Sequence, residues 1–145
     1  MIQNEPIIVE QTYNVSVDRV WKAITDSSQM KQWFFENINS FKAEVGFETQ
    51  FNVQANDKNY LHLWKISEVQ TGKKIVYNWK YDGYEGNSYV TWELSPENIF
   101  TKLKLTHKGQ ETFPQDNPDF KRENCIGGWQ FFICQRLKEF LEAGN

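Results

Sequence analysis

Three runs of strict two-residue alternation constrain this chain more than any other feature. Ile75, Tyr77, Trp79 and Tyr81 alternate with Val76, Asn78 and Lys80. Val90, Trp92 and Leu94 alternate with Thr91 and Glu93, and Leu103, Leu105 and His107 alternate with Lys102, Lys104 and Thr106. Successive side chains of a strand point to opposite faces, so each run describes one covered face and one wet face. Polar breaks separate the runs: Val45-Gly46, Asn56-Asp57-Lys58-Asn59, Thr71-Gly72, Asp82-Gly83 with Gly86-Asn87, and Ser95-Pro96-Glu97-Asn98. Such residues favour turns, either by tolerating positive φ or by bonding to nearby backbone. About six strands fit between residues 39 and 109, and Ile7 to Val15 reads as one more.

An apolar sheet face must be covered, and the end of the chain offers the cover. Asn117-Pro118-Asp119 combines an N-cap residue, a proline and a first-turn acid, which predicts a helix from there to about Leu141, stopping at Gly144. At 100° per residue Trp129, Ile133 and Phe140 share one stripe, with Ile126 and Leu137 beside it and Gln135, Lys138, Glu139 and Glu142 opposite. Earlier, Val20, Trp21 and Ile24 predict a short helix capped by Ser16 or Asp18. Met30, Trp33 and Phe34 predict a second, from about Ser28 to Trp33, with Ser27 or Ser28 as its cap. The expected class is therefore α+β, a single domain over residues 1–145 in which a curved antiparallel sheet wraps a long C-terminal helix.

Bulk properties narrow the function. A chain of 145 residues can bury a core without staples. Its net charge of −3 is scattered, with no basic stripe to neutralise a phosphate backbone, so nucleic acid is not an expected partner. No stretch approaches the roughly 20 apolar residues of a membrane span, and Met1 to Pro6 lacks the apolar run of a signal peptide. Cys125 and Cys134 are the only cysteines and lie roughly 13 Å apart along one predicted helix, too far for a mutual disulfide. A cytoplasmic location is expected.

Four segments, in order, resemble START-like (SRPBCC) helix-grip domains, and within them the branch of homologues of the activator of the heat-shock-protein-90 ATPase. They are Val20-Trp21-Lys22-Ala23-Ile24-Thr25-Asp26 with Trp33-Phe34, and Glu68-Val69 leading into Lys74-Ile75-Val76-Tyr77-Asn78-Trp79. Thr101 to Gly109 and Gly128-Trp129 with Leu137 to Glu142 complete the set. The resemblance runs from about residue 7 to 142 and implies a seven-stranded curved sheet, two short helices after strand 1, and a long helix closing a cavity. One departure is Val17, near the point where the family usually has a proline. The fold alone does not decide activity.

The expected cavity lining is Trp129, Phe132 and Ile133 on the helix facing Tyr77, Trp79, Trp92 and Leu103 on the sheet, with Trp33 and Trp64 among the surrounding rings. Gly127-Gly128 should cost about 1 kcal/mol each inside a helix; they either leave room for a ligand or let the helix approach a neighbour closely. His107 points inward as a hydrogen-bonded core residue or as a base, whereas Leu61 and Leu63 leave the face of His62 ambiguous. Arg136 either binds a carboxylate or phosphate in the cavity or lays its stem over apolar surface. No spacing suits a metal, no acid pair suits catalysis, and no cofactor or catalytic residue is expected.

Three functions follow, in order of preference. The first is a module binding a small hydrophobic or amphipathic molecule, as monomer or homodimer, in a cavity of a few hundred Å³ open at one end. The second is a cyclase, lyase or hydrolase acting in the same cavity, with His107 and Arg136 as its only nameable groups. The third is a chaperone partner.

Overall fold

The alternating runs form the sheet that they predict. In the computed structural model, which describes residues 5–143, the strands are β1 (Ile7–Tyr13), β2 (Glu48–Ala55), β3 (Lys58–Gln70), β4 (Lys74–Tyr81), β5 (Ser88–Glu97) and β6 (Phe100–Lys108). They make one antiparallel sheet in the order β1-β6-β5-β4-β3-β2. Tyr77 and Trp79, Val90 and Trp92, and Leu103, Leu105 and His107 are all buried on its inner face. Tyr60, His62, Trp64 and Ile66 of β3 join them, which settles the face of His62. Asn56 and Asp57 take φ of 53° and 68°, the left-handed pair that a tight β2–β3 hairpin requires. An irregularity between Ile66 and Glu68 interrupts the β3–β4 register, and such a bulge bends and twists its strand.

Among the described residues the sheet has six strands, not the expected seven. The stretch after residue 39 that should supply another is irregular. At its start it meets β2 through side chains, the Asn37 and Asn39 amides donating to the Asn52 and Gln50 carbonyls, and only at its end do Gly46 and Phe47 bond by backbone, to Ile66 of β3. Asparagine side chains thus occupy acceptors that a further strand would use, and they shield an otherwise open edge.

Two short helices follow β1. Ser16 caps α1 (Val17–Thr25), its hydroxyl accepting from the Arg19 N–H at 3.3 Å, while Asp18 sits in the first turn. Asp26, rather than Ser27 or Ser28, takes the cap position of α2 (Ser27–Trp33), its carbonyl accepting from Gln29 and Met30. The Trp33 indole N–H donates to the Ala23 carbonyl at 2.8 Å and ties the two helices together.

The last helix departs from expectation at its start and in its winding. Asn117-Pro118-Asp119 opens only a 3-10 turn, Pro118–Phe120, in which the Asn117 side chain accepts from the Asp119 N–H. The helix proper begins later, as α3 (Arg122–Gln130), and runs through a π-helical segment, Phe131–Arg136, into α4 (Leu137–Glu142). Its expected stop at Gly144 lies outside the described residues. Wider winding changes the buried stripe to Trp129, Ile133, Leu137 and Leu141, spaced by four. Phe140, expected on the stripe, is turned aside and half-buried, with the Arg19 guanidinium 4.9 Å from its ring centre.

Within the π-helical segment the Ile133 carbonyl accepts from the buried Tyr13 hydroxyl of β1 at 2.6 Å. Tyr13→Phe keeps the ring and removes only that donor. It should lower stability by about 1–3 kcal/mol, the range for a buried acceptor left unpaired, as read by urea unfolding. An unchanged midpoint would mean that the carbonyl does not need the tyrosine.

Candidate functional site

The sheet curves away from the helix and leaves a cavity of about 150 Å³. Trp79 and Tyr81 of β4, His62 of β3 and His107 of β6 form its sheet side. Cys125, Gly128, Trp129 and Phe132 form its helix side, and Phe34 and Phe35, just past α2, close it laterally. Asp119 completes the lining. His62, Tyr81 and Asp119 also line an open groove with Asn56, Tyr60 and Asn124, so they mark the side on which the cavity meets solvent. The volume is below the few hundred Å³ expected, because phenylalanine rings fill the wedge: Phe34 and Phe35 lie 4.9 and 5.1 Å from Phe132, centre to centre.

The cavity brings together five of the residues anticipated from sequence: Trp79, His107, Gly128, Trp129 and Phe132. Trp33, Trp64, Tyr77, Trp92, Leu103 and Ile133 are buried but lie behind this wall, packing the core around it. Arg136 stands elsewhere, in an outer cleft with Lys31 and Glu36. There it donates to the Gln32 carbonyl at 2.8 Å, with its guanidinium 5.9 Å from the Phe131 ring centre. A Cβ added to Gly127 or Gly128 would meet nothing within 4 Å, so close helix approach does not explain this pair. Gly127 is exposed, whereas Gly128 lines the cavity. The aromatic segments Trp33-Phe34-Phe35 and Tyr81 to Gly86 read in the sequence as a pocket mouth or a partner patch, and Phe34, Phe35 and Tyr81 do line the cavity. His62 is the wall residue whose face the sequence leaves open, yet Tyr60, His62, Trp64 and Ile66 alternate cleanly once the partly covered Leu61 and Leu63 are set aside.

Hydrogen-bond logic fixes both histidine tautomers. An indole N–H can only donate, so the bond of 3.1 Å from Trp129 Nε1 leaves His107 Nδ1 unprotonated. His107 Nε2 then carries the hydrogen and donates to Ser88 Oγ at 2.9 Å, and Ser88 donates to the Trp79 carbonyl at 2.6 Å. With both nitrogens occupied, and burial holding its pKa at about 3, His107 has neither a lone pair nor a proton to offer. His62 is the reverse case. Its Nδ1 faces the Tyr60 carbonyl at 3.0 Å, which can only accept, so Nδ1 carries the hydrogen and Nε2 the lone pair. Burial holds this imidazole neutral too, at about 4, against the weaker opposing effect of that carbonyl.

The other ionisable walls are equally subdued. Burial pushes the Cys125 thiol up to about 11, and it raises the Tyr81 phenol well above its usual range, so both keep their protons. Asp119 is held by the Tyr60 hydroxyl and the Asn56 amide, each at 2.5 Å. No lysine or arginine lines the cavity. The chamber therefore offers aromatic surface and neutral polar groups, with a single carboxylate at its open side.

Both histidines have native pKa values below the ordinary 6.5. Above pH 6.5 they are neutral in folded and unfolded chains alike and contribute no pH dependence. As pH falls below 6.5 the unfolded chain takes up protons that the folded chain refuses, so stability falls, until about pH 4 for His62 and about pH 3 for His107. Replacing His62 with glutamine should remove close to one proton from the uptake on unfolding at pH 5, measured from the slope of stability against pH. An unchanged slope would mean that His62 titrates normally in the fold.

Comparison with known proteins agrees with this architecture. The family model described as "Activator of Hsp90 ATPase homolog 1-like protein" matches residues 14–142. Protein CV1439 from Chromobacterium violaceum superposes with a TM-score of 0.80 at 22% identity, over 95% of this chain and 97% of that one. Bacillus halodurans BH1534 gives 0.71 at 25% identity, over 94% and 96%, and CalU16 from Micromonospora echinospora gives 0.69 at 27%, over 94% and 76%. No curated protein matches the sequence. The resemblance read from four short segments therefore holds across the fold, and the chain belongs to the family of Activator of Hsp90 ATPase homolog 1-like proteins.

Proposed function

We propose that this protein is a binding module for a small uncharged molecule about the size of one aromatic ring. The observation that carries the reading is the aromatic cavity of about 150 Å³ between sheet and helix. An apolar cavity of about that volume is large enough for benzene, and rings on several sides supply the contact that such a guest needs. The absence of a lysine or arginine from its walls argues against a carboxylate or phosphate guest. An enzyme in the same cavity is less well supported, since His107 has both nitrogens engaged and Arg136 lies in another cleft. A chaperone partnership would need a docking surface, and the cavity supplies none.

Native mass spectrometry of protein purified from its own host should reveal an extra mass of single-ring size that disappears on denaturation. A benzene titration, followed by calorimetry, tests the cavity without knowledge of the natural ligand. Gly128→Leu should abolish benzene binding while leaving unfolding stability equal or higher, because leucine is the better helix former and its side chain has open space to enter. Gly127→Ala serves as the control and should add about 1 kcal/mol of stability with binding unchanged. Benzene affinity that is absent in the parent, or unaltered by leucine at 128, would contradict the reading.

A further inference from the structure

We propose that the cavity selects aromatic alcohols, with the ligand hydroxyl donating to His62 Nε2 and accepting from Tyr81, an inference that rests on the binding function above. His62 and Tyr81 are direct register partners across β3 and β4, and their ring centres lie 4.8 Å apart. The Tyr60 carbonyl fixes the hydrogen of His62 on Nδ1, so Nε2 presents a lone pair. Nε2 has no hydrogen-bond partner among the described residues. Nor is it one of the sealed polar atoms that lack one, which are Trp64 Nε1, Tyr77 Oη and Trp92 Nε1. His62 is only 5% exposed and lines both the cavity and the groove at its mouth, so this acceptor is reached from that space.

Tyr81 supplies the complement. Its oxygen accepts from Trp79 Nε1 at 2.9 Å, a bond that uses the indole hydrogen and leaves the phenol's own hydrogen free. That hydrogen finds no acceptor among the described residues, and the two side chains do not bond to each other. One wall therefore carries an unused acceptor and an unused donor on two residues that face each other across β3 and β4. A hydroxyl is the smallest group that satisfies both. An ammonium has only donors and would set its charge against the Tyr81 hydrogen. A phenolate or carboxylate has only acceptors, leaves the His62 lone pair unmet, and faces the Asp119 carboxylate in the same lining. A site built to bond a hydroxyl discriminates against an analogue without one, because its own polar groups are then left unpaired.

Titrations at pH 7 with phenol, benzene, fluorobenzene and benzylamine separate these possibilities. Phenol should bind about tenfold or more tightly than benzene or fluorobenzene, the effect of one or two hydrogen bonds. In His62→Phe the preference should vanish while benzene still binds, and His62→Gln, which retains an acceptor, should restore part of it. If the phenylalanine variant does not fold, the imidazole ¹⁵N resonances of the parent protein give the same answer. The Nε2 signal should move several-fold further upfield on adding phenol than on adding benzene, whose ring current alone gives a small shift. Equal affinity for phenol and benzene, a preference that survives His62→Phe, or tighter binding of benzylamine overturns the assignment. Failure of every ring compound to bind would instead remove the binding function on which the assignment rests.

Discussion

A hydroxyl from the first strand reaches a carbonyl in the last helix, and this bond ties the helix to the edge of the sheet where its winding changes. Tyr13 bonds to Ile133 where the helix is wound wide, and this wider winding spaces the buried residues by four. Ile133, Leu137 and Leu141 then seat the second half of the helix on the core, whereas α3 buries only Trp129. The cavity lies beneath that lightly seated first half, beside Gly128 and Trp129. A helix of uniform α winding would bring Phe140 round to the core instead, and the wedge below would have a different shape.

The interior that results is crowded with rings yet chemically quiet. Trp33 stacks on Phe34 at 4.9 Å, and Phe34 in turn meets Trp64, Trp79, Trp92, Trp129 and Phe132. Such packing gives a rigid wall, since large side chains locked among others have few rotamers open to them. The chain from Trp129 through His107 and Ser88 to the Trp79 carbonyl joins helix to sheet without a net charge. This arrangement allows a histidine to be buried at modest cost, because each of its polar atoms is met. His62 differs in one atom, and that atom faces the open space.

Much of the fold was legible because the alternation in β4, β5 and β6 admits one pairing of inner and outer faces. Where the sequence misled, each cause is local. Asn37 and Asn39 sit at the entry to the stretch where a seventh strand was expected, and an asparagine side chain can take a backbone acceptor as well as a strand can. Asn117-Pro118-Asp119 carries a sound helix-start signal that served a 3-10 turn instead. Phe140 was assigned to the buried stripe by counting 100° per residue, and no local pattern announces a π-helical segment. Within the site, Trp79, Gly128 and Trp129 followed from faces and spacing. His62 was obscured by Leu61 and Leu63, whereas the aromatic run Trp33-Phe34-Phe35 does read as a pocket mouth, although how far Phe34 and Phe35 intrude depends on the irregular chain after α2.

Open, ring-lined space between α3 and the sheet would admit a xenon atom, and a crystal of the protein pressurised with the gas shows whether that space persists. An ordered xenon atom is expected, bounded by Trp79, Trp129 and Phe132 and beside Gly128, with the surrounding rings unmoved. An empty difference map at that place, with Phe34, Phe35 or Phe132 closed into the space, would contradict it.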